Sequence, residues 1–350
     1  MNLVVPSAGG TSAQRMLAVA ILGGVLLGVV VDARSAYGYN EDGHFYTVTA
    51  VEHDREPPFE GGSRDEAVLT AFCAQLPDLA NQLDATTLRA NLIFSFSGTF
   101  WGAFSRCWSE DVRHMVAVHQ YLHGLTDTAA QPVTDVAVAI IKTLRRQEES
   151  HPDPNTACAI GFAIHLLGDS FAHRQLHGST DHMYAPGMGH FRDNHDPDYI
   201  DFTEDRMKLW ETYTNTLADA LQIRFDQSRW TDLRKVVESN LGGTEDNYFN
   251  SKEIIKGLRE TLNDNGGIPI WAKYDPPVED LTSQDSWYGQ HVLSRDFRDV
   301  VTKYTPPLHY TELTYEQVWG TYESVAIKEF EREKITAACP PDSIGQGLAP

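Results

Sequence analysis

The sequence predicts a mainly α-helical fold, a multi-helix single domain followed by a polar C-terminal elaboration. Three observations point to it. Apolar residues recur at three- and four-residue spacing along six segments, strand-type alternation is scarce, and the breaks between segments are marked by Pro and Gly. With 350 residues and 41% hydrophobic content, the chain has enough apolar material for a sizeable core.

From the N-terminus, Arg15 precedes the apolar run from Met16 to Val31, and small residues follow it. This reads as an export signal, because the run is too short and too rich in Gly for a membrane span. Ala36-Tyr37-Gly38 places small residues at the last and third-last positions of a cleavage site, which gives a signal peptide at 1–38 and Tyr39 as the new N-terminus. An uncleaved anchor is the competing reading. The expected product is secreted or periplasmic, with no stable membrane span after processing.

The mature chain then divides into a helical core at 39–235 and an extension at 236–350 packed on it. Helical periodicity covers Asp65 to Leu83, Ser109 to Leu125, Pro132 to Gln147, Asn155 to Leu176, Glu204 to Leu221 and Glu312 to Lys334. Ser109, followed by acids, reads as a cap. Phe59-Glu60-Gly61-Gly62-Ser63 and His151-Pro152-Asp153-Pro154 read as breaks. From Asn240 to Pro307 the chain is polar, with paired glycines and Pro276-Pro277.

The formal charge of -21 argues against general binding to a nucleic-acid backbone, which needs a basic surface. No glycine loop of the dinucleotide type stands out, and no Gly-x-Ser-x-Gly elbow occurs. Cys73, Cys107, Cys158 and Cys339 all follow the signal, so an oxidising compartment allows three disulfide pairings. A buried Cys158 thiol is the alternative. None of the four has the close spacing of a zinc or redox motif.

Chemistry concentrates in the segment His165-Leu166-Leu167-Gly168-Asp169 and its continuation to His173. Spaced four apart, His165, Asp169 and His173 fall within about 80° of one another on a helix. Ile160, Ala163, Leu167 and Phe171 point the other way. An imidazole-carboxylate-imidazole row opposite an apolar stripe suits a borderline divalent metal such as zinc. His177, His182, His190 and His195 follow it. Eleven of the fourteen histidines lie between His44 and His190 inclusive. Upstream, Gly43-His44 follows the new N-terminus, Asp78 lies on the next helix, and His114, His119 and His123 lie on another, where His119 and His123 share a face. Asp153, Asp181 and Asp196 read either as orienting partners of ligand imidazoles or as loop caps.

These residues resemble the zinc-dependent phospholipase C and single-strand nuclease superfamily. Its mature chains open with an aromatic residue, the place Tyr39 takes here. In the nuclease branch a Gly-His pair ends five residues on, as Gly43-His44 does. The family's most specific motif, His-x-x-x-Asp in an apolar, Gly-containing helix, is reproduced by His165 to Asp169. The resemblance covers roughly Tyr39 to Asp198 and implies up to three zinc ions. Asp78, one of His119 and His123, His165 and Asp169 would hold the first. His173, His190 and either Asp193 or Asp198 would hold the second. The amine and carbonyl of Tyr39, with His44 and a bridging Asp169, would hold the third. Signal cleavage would then be part of assembling the site.

The spacing departs from the family in places. Three residues and no Pro separate Asp169 from His173, so His177 competes for that position. The fourth residue after His190 is Asn194 rather than a carboxylate. An insertion of about thirty residues surrounds the aromatic stretch from Phe94 to Trp108, which reads as core filling, with contact to acyl chains or a base as the alternatives.

The resemblance implies a metal-dependent phosphoester hydrolase of the phospholipase C kind, acting on a phosphoester or phospholipid substrate. Asp78 would orient or deprotonate the attacking water, and Asp169 would bridge metals. A single-strand nuclease or phosphomonoesterase on the same scaffold is one alternative. A non-catalytic, metal-stabilised secreted interaction protein is the other.

Overall fold

The computed structural model describes residues 40–52, 63–80, 82–84, 110–175, 181–185, 197, 200, 202–224, 227–239, 241, 297–298, 301 and 313–336. Among them are eight α-helices and no strand. The helices are α1 (Asn40–Glu52), α2 (Ser63–Leu79), α3 (Glu110–Ala117), α4 (Ala130–Ser150), α5 (Pro154–Ala172), α6 (Glu204–Leu221), α7 (Gln227–Glu238) and α8 (Tyr315–Arg332). Isolated antiparallel bridges join Ala129 to His182 and Arg174 to Met183. No helix among the described residues is long and apolar enough to cross a membrane.

All six predicted helices form, Glu204–Leu221 with the predicted ends and the other five with shifted ones. On α4, Val133, Val136, Ala137, Ile140, Ile141 and Leu144 are buried, while Lys142, Arg146 and Glu149 face solvent. This is the one-sided stripe of a helix lying on a core. α5 behaves differently. Asp153 caps it by accepting from the Thr156 amide at 3.2 Å, and Pro154 supplies a first-turn residue that needs no amide partner. From Thr156 to Ala172 every side chain is buried, so α5 is the central rod of the bundle. The predicted polar row and the opposite apolar stripe both lie within this rod, and neither faces solvent. Both faces are enclosed, because α1, α2, α4, α6 and α8 all pack against this helix.

Two helices had no signal in the periodicity. In α1 every side chain described, from Gly43 to Glu52, is buried, so no polar face marks a period. Among the described side chains of α7, only Trp230, Leu233 and Val237 are buried among charged neighbours, too few to stand out. From the C-terminal extension, α8 packs on α4 and α5 and contributes Val318, Tyr322, Ala326 and Phe330 to the same core.

A disulfide joins Cys73 of α2 to Cys158 of α5, with Cα atoms 5.2 Å apart and a sequence separation of 85 residues. In a chain-entropy account, closing a loop of that length stabilises the fold by roughly 4–5 kcal/mol. Cys107 and Cys339 lie outside the described residues.

Candidate metal centre

Four elements bring donors to one buried point. α1 carries His44, the last turn of α2 carries Asp78, the end of a π-helical turn after α3 presents His123, and α5 supplies His165 and Asp169. All five are between 0% and 2% exposed. The π-helical turn, Val118–Leu122, continues directly from α3, and the His123 amide closes it on the Val118 carbonyl at 3.2 Å. Its wider winding rotates positions four apart away from each other.

The ring nitrogens of two histidines are assigned by backbone acceptors. His165 Nδ1–H donates to the Ala74 carbonyl at 2.9 Å, which leaves Nε2 as the lone pair. His123 Nε2–H donates to the Leu83 carbonyl at 2.9 Å, which leaves Nδ1. These two lone pairs lie 3.2 Å apart. Each also approaches Asp169 Oδ2, at 3.2 Å from His165 and 3.0 Å from His123. His165 Nε2 is 3.6 Å from Asp78 Oδ1 as well. Lone pairs converging on lone pairs repel unless a proton or a metal ion sits among them, and a donor set of imidazoles and carboxylates suits zinc.

On the other side of Asp169, His44 Nε2 is 3.1 Å from Oδ1 and 4.0 Å from Asp78 Oδ2. Its ring lies over that of His165, with centroids 4.0 Å apart. The donors form two overlapping triads, His44/His165/Asp169 and Asp78/His123/His165. In each triad the donor atoms lie within 4.8 Å of one another, as holding a metal ion requires.

Burial holds the His165 imidazolium down to about 3, with the neighbouring His44 and His123 adding to the effect against the pull of Asp169. The ring is neutral and available as a ligand at any ordinary pH. Burial alone would raise Asp169. The neighbouring His165, His173 and His123 outweigh it and hold the carboxyl well below its usual range. The Tyr322 hydroxyl is pushed well above its usual value by burial and by the Asp169 charge, so it stays protonated, and it donates to the Tyr121 carbonyl.

The structure thus gathers His44, Asp78, His123, His165 and Asp169. His173 lies beside them. α5 ends at Ala172, so His173 is the residue after the helix and not the third step of a helical row. Its Nδ1 donates to the His123 carbonyl at 2.9 Å and lies 3.6 Å from Asp169 Oδ2. His119 is buried but belongs to neither triad, because the π-helical turn removes the shared face that ordinary α periodicity predicted. Asp153 is the cap of α5. Tyr39, His177, His190, Asp193, His195, Asp196, Asp198 and the stretch from Phe94 to Trp108 lie outside the described residues.

Sequence reasoning missed the carbonyls of Ala74 and Leu83, which every residue type offers equally. It passed over Gly168 as context. A Cβ there would lie 2.6 Å from His44 Cε1 and 2.8 Å from its Nδ1, so the glycine is what lets the ring in. Compared with known proteins, the chain matches no family model, no curated protein and no solved structure.

Proposed function

We propose that the chain is a zinc-dependent phosphoester hydrolase, phospholipase C-like, working in a secreted or periplasmic setting. One observation carries the reading: the lone pairs of His123 and His165, fixed by backbone acceptors, meet each other and the Asp169 carboxylate with only 3.0–3.2 Å between them. The spacing resemblance to the phospholipase C and nuclease superfamily supplies the substrate class.

His44, Asp78, His123, His165 and Asp169 would hold zinc, with Tyr39, His173, His190 and either Asp193 or Asp198 completing a set of up to three ions. Bound zinc lowers the pKa of water and neutralises phosphoryl oxygens. Asp169 faces His44 with one oxygen and His123 and His165 with the other, as a bridging carboxylate does. Asp78 stands between His44 and His165 at longer range, 3.6–4.0 Å, which suits an acceptor for a water proton.

The test is zinc content of the mature protein, measured with hydrolysis of bis(p-nitrophenyl) phosphate and of phosphatidylcholine, beside Asp169→Asn. Zinc uptake and hydrolysis, both lost in the variant, are the expected result. Zinc uptake with no hydrolysis of either substrate supports a second reading, a metal that stabilises a non-catalytic protein. Its supporting observation is the near-complete burial of the donors, since structural sites are closed.

A further inference from the structure

The seam between α2 and α5 carries the disulfide and the metal centre together. Starting at its N-terminal end on α5, Thr70 Oγ1 donates to the Ala157 carbonyl at 3.3 Å, and Cys73 is bonded to Cys158. One turn on, Gly161 brings the two backbones into contact. A Cβ there would meet Cys73 Cβ at 2.6 Å, the Thr70 carbonyl at 2.7 Å and the Ala74 amide at 2.9 Å. Another turn on is His165, whose tautomer is set by the Ala74 carbonyl, the residue next to Cys73. Asp78 follows on α2 and faces His165. The donors of the second triad therefore come partly from each side of a seam that a single covalent bond closes.

We propose that the Cys73–Cys158 disulfide is a positioning element of the metal centre, so that the donor set closes tightly only in the oxidised chain. This rests on the metal reading of the cluster. Without the bond, α2 is held at this point by packing and by the Thr70–Ala157 and His165–Ala74 hydrogen bonds, and small separation from α5 withdraws both Asp78 and the acceptor that keeps His165 Nε2 unprotonated. Loss of such an orienting partner weakens metal binding by about 10- to 100-fold. Coupling is reciprocal, so bound metal must favour the oxidised form by the same factor.

The experiment compares the oxidised mature protein with the double variant Cys73→Ala/Cys158→Ala. Zinc affinity is measured by competition with a chelator, and the His165 ring nitrogens are followed by 15N NMR. At least tenfold weaker zinc binding is expected in the variant, with helical content retained and the Nδ1–H signature of His165 lost. Equal affinity and an unchanged His165 signature overturn the inference. Should the variant fail to fold, the native chain decides through its reduction by a water-soluble phosphine. There the phosphine gives two electrons to the disulfide, water supplies the oxygen of the phosphine oxide, and its two protons go to the thiols. After the thiols are capped by alkylation, the reduced chain must bind zinc at least tenfold more weakly than the oxidised one, and equal affinity overturns the inference. An oxidised chain that takes up no zinc overturns the metal reading and this inference with it. One that binds zinc no more tightly than the double variant overturns this inference alone.

Discussion

The imidazole of His44 rests against the bare Cα of Gly168, at a distance where a methyl group would overlap it. α1 reaches Asp169 because residue 168 has no side chain. Gly161, two turns earlier, is equally crowded, but by the Thr70 carbonyl and Ala74 amide of α2. A ring can rotate away, whereas backbone cannot. Gly168→Ala should therefore expel His44 and weaken zinc binding at least tenfold, with the metal-free melting temperature little changed. Ala favours a helix by about 1 kcal/mol over Gly, which offsets part of any crowding. Gly161→Ala should lower the melting temperature in both states. Zinc titration and thermal unfolding of the two variants check this, and unaltered zinc affinity in Gly168→Ala would count against His44 as a ligand.

His123 and His119 offer a sharper contrast, since four residues separate them and both are buried. His123→Ala removes a donor 3.0 Å from Asp169 and should abolish tight zinc binding. His119→Gln should keep the native zinc stoichiometry, at a stability cost of roughly 1–3 kcal/mol for disturbing a buried polar group. Reversal of the two stoichiometries would mean that the π-helical turn does not persist in solution.

The difference between these two histidines shows where the sequence runs out. His165 and Asp169 are legible because four-residue spacing aligns them on any α-helix, and α5 is one. Choosing His123 over His119 requires the π-helical winding, which packing imposes after the helices assemble. α4 is legible from its one-sided burial, while α1 has no exposed face among its described side chains and so leaves no period to read. The tautomers depend on the carbonyls of Ala74 and Leu83, which no side-chain pattern encodes.

Glu148 gives a pH dependence separate from the candidate metal centre. It is 6% exposed, near the end of α4, and burial pushes its carboxyl up from 4.5 to about 7, with the Glu66 charge adding to the rise. The Asp153 amide and the Arg145 charge oppose this, and the Asp153 charge adds slightly to it. The folded chain thus binds this proton more tightly than the unfolded chain. The stabilisation is full below about pH 4.5 and is lost as pH rises through about 7. Glu148→Gln keeps the shape without the charge. It should unfold like the native chain at pH 4 and be more stable by roughly 1–2 kcal/mol at pH 8, a figure reduced for screening. Urea titrations at the two pH values measure it, and an equal difference at both would show that Glu148 does not titrate between them.

Removal of metal should register in stability before it registers in any assay of turnover. A ligand that binds only the folded chain stabilises it by about 2.7 kcal/mol when its free concentration is 100 times the dissociation constant. Chelation should therefore lower the melting temperature of the native protein by several degrees, and zinc added back should restore it. In Asp169→Asn the carboxylate that faces His44, His123 and His165 is replaced by an amide that can donate to one of their lone pairs. The metal-free fold is then relieved of its converging acceptors, and the response to chelator should vanish. Thermal unfolding of both proteins, with chelator and with excess zinc, separates the two cases. A chelator effect of the same size in Asp169→Asn would place the zinc elsewhere in the chain and leave the buried histidines as a polar core sharing protons.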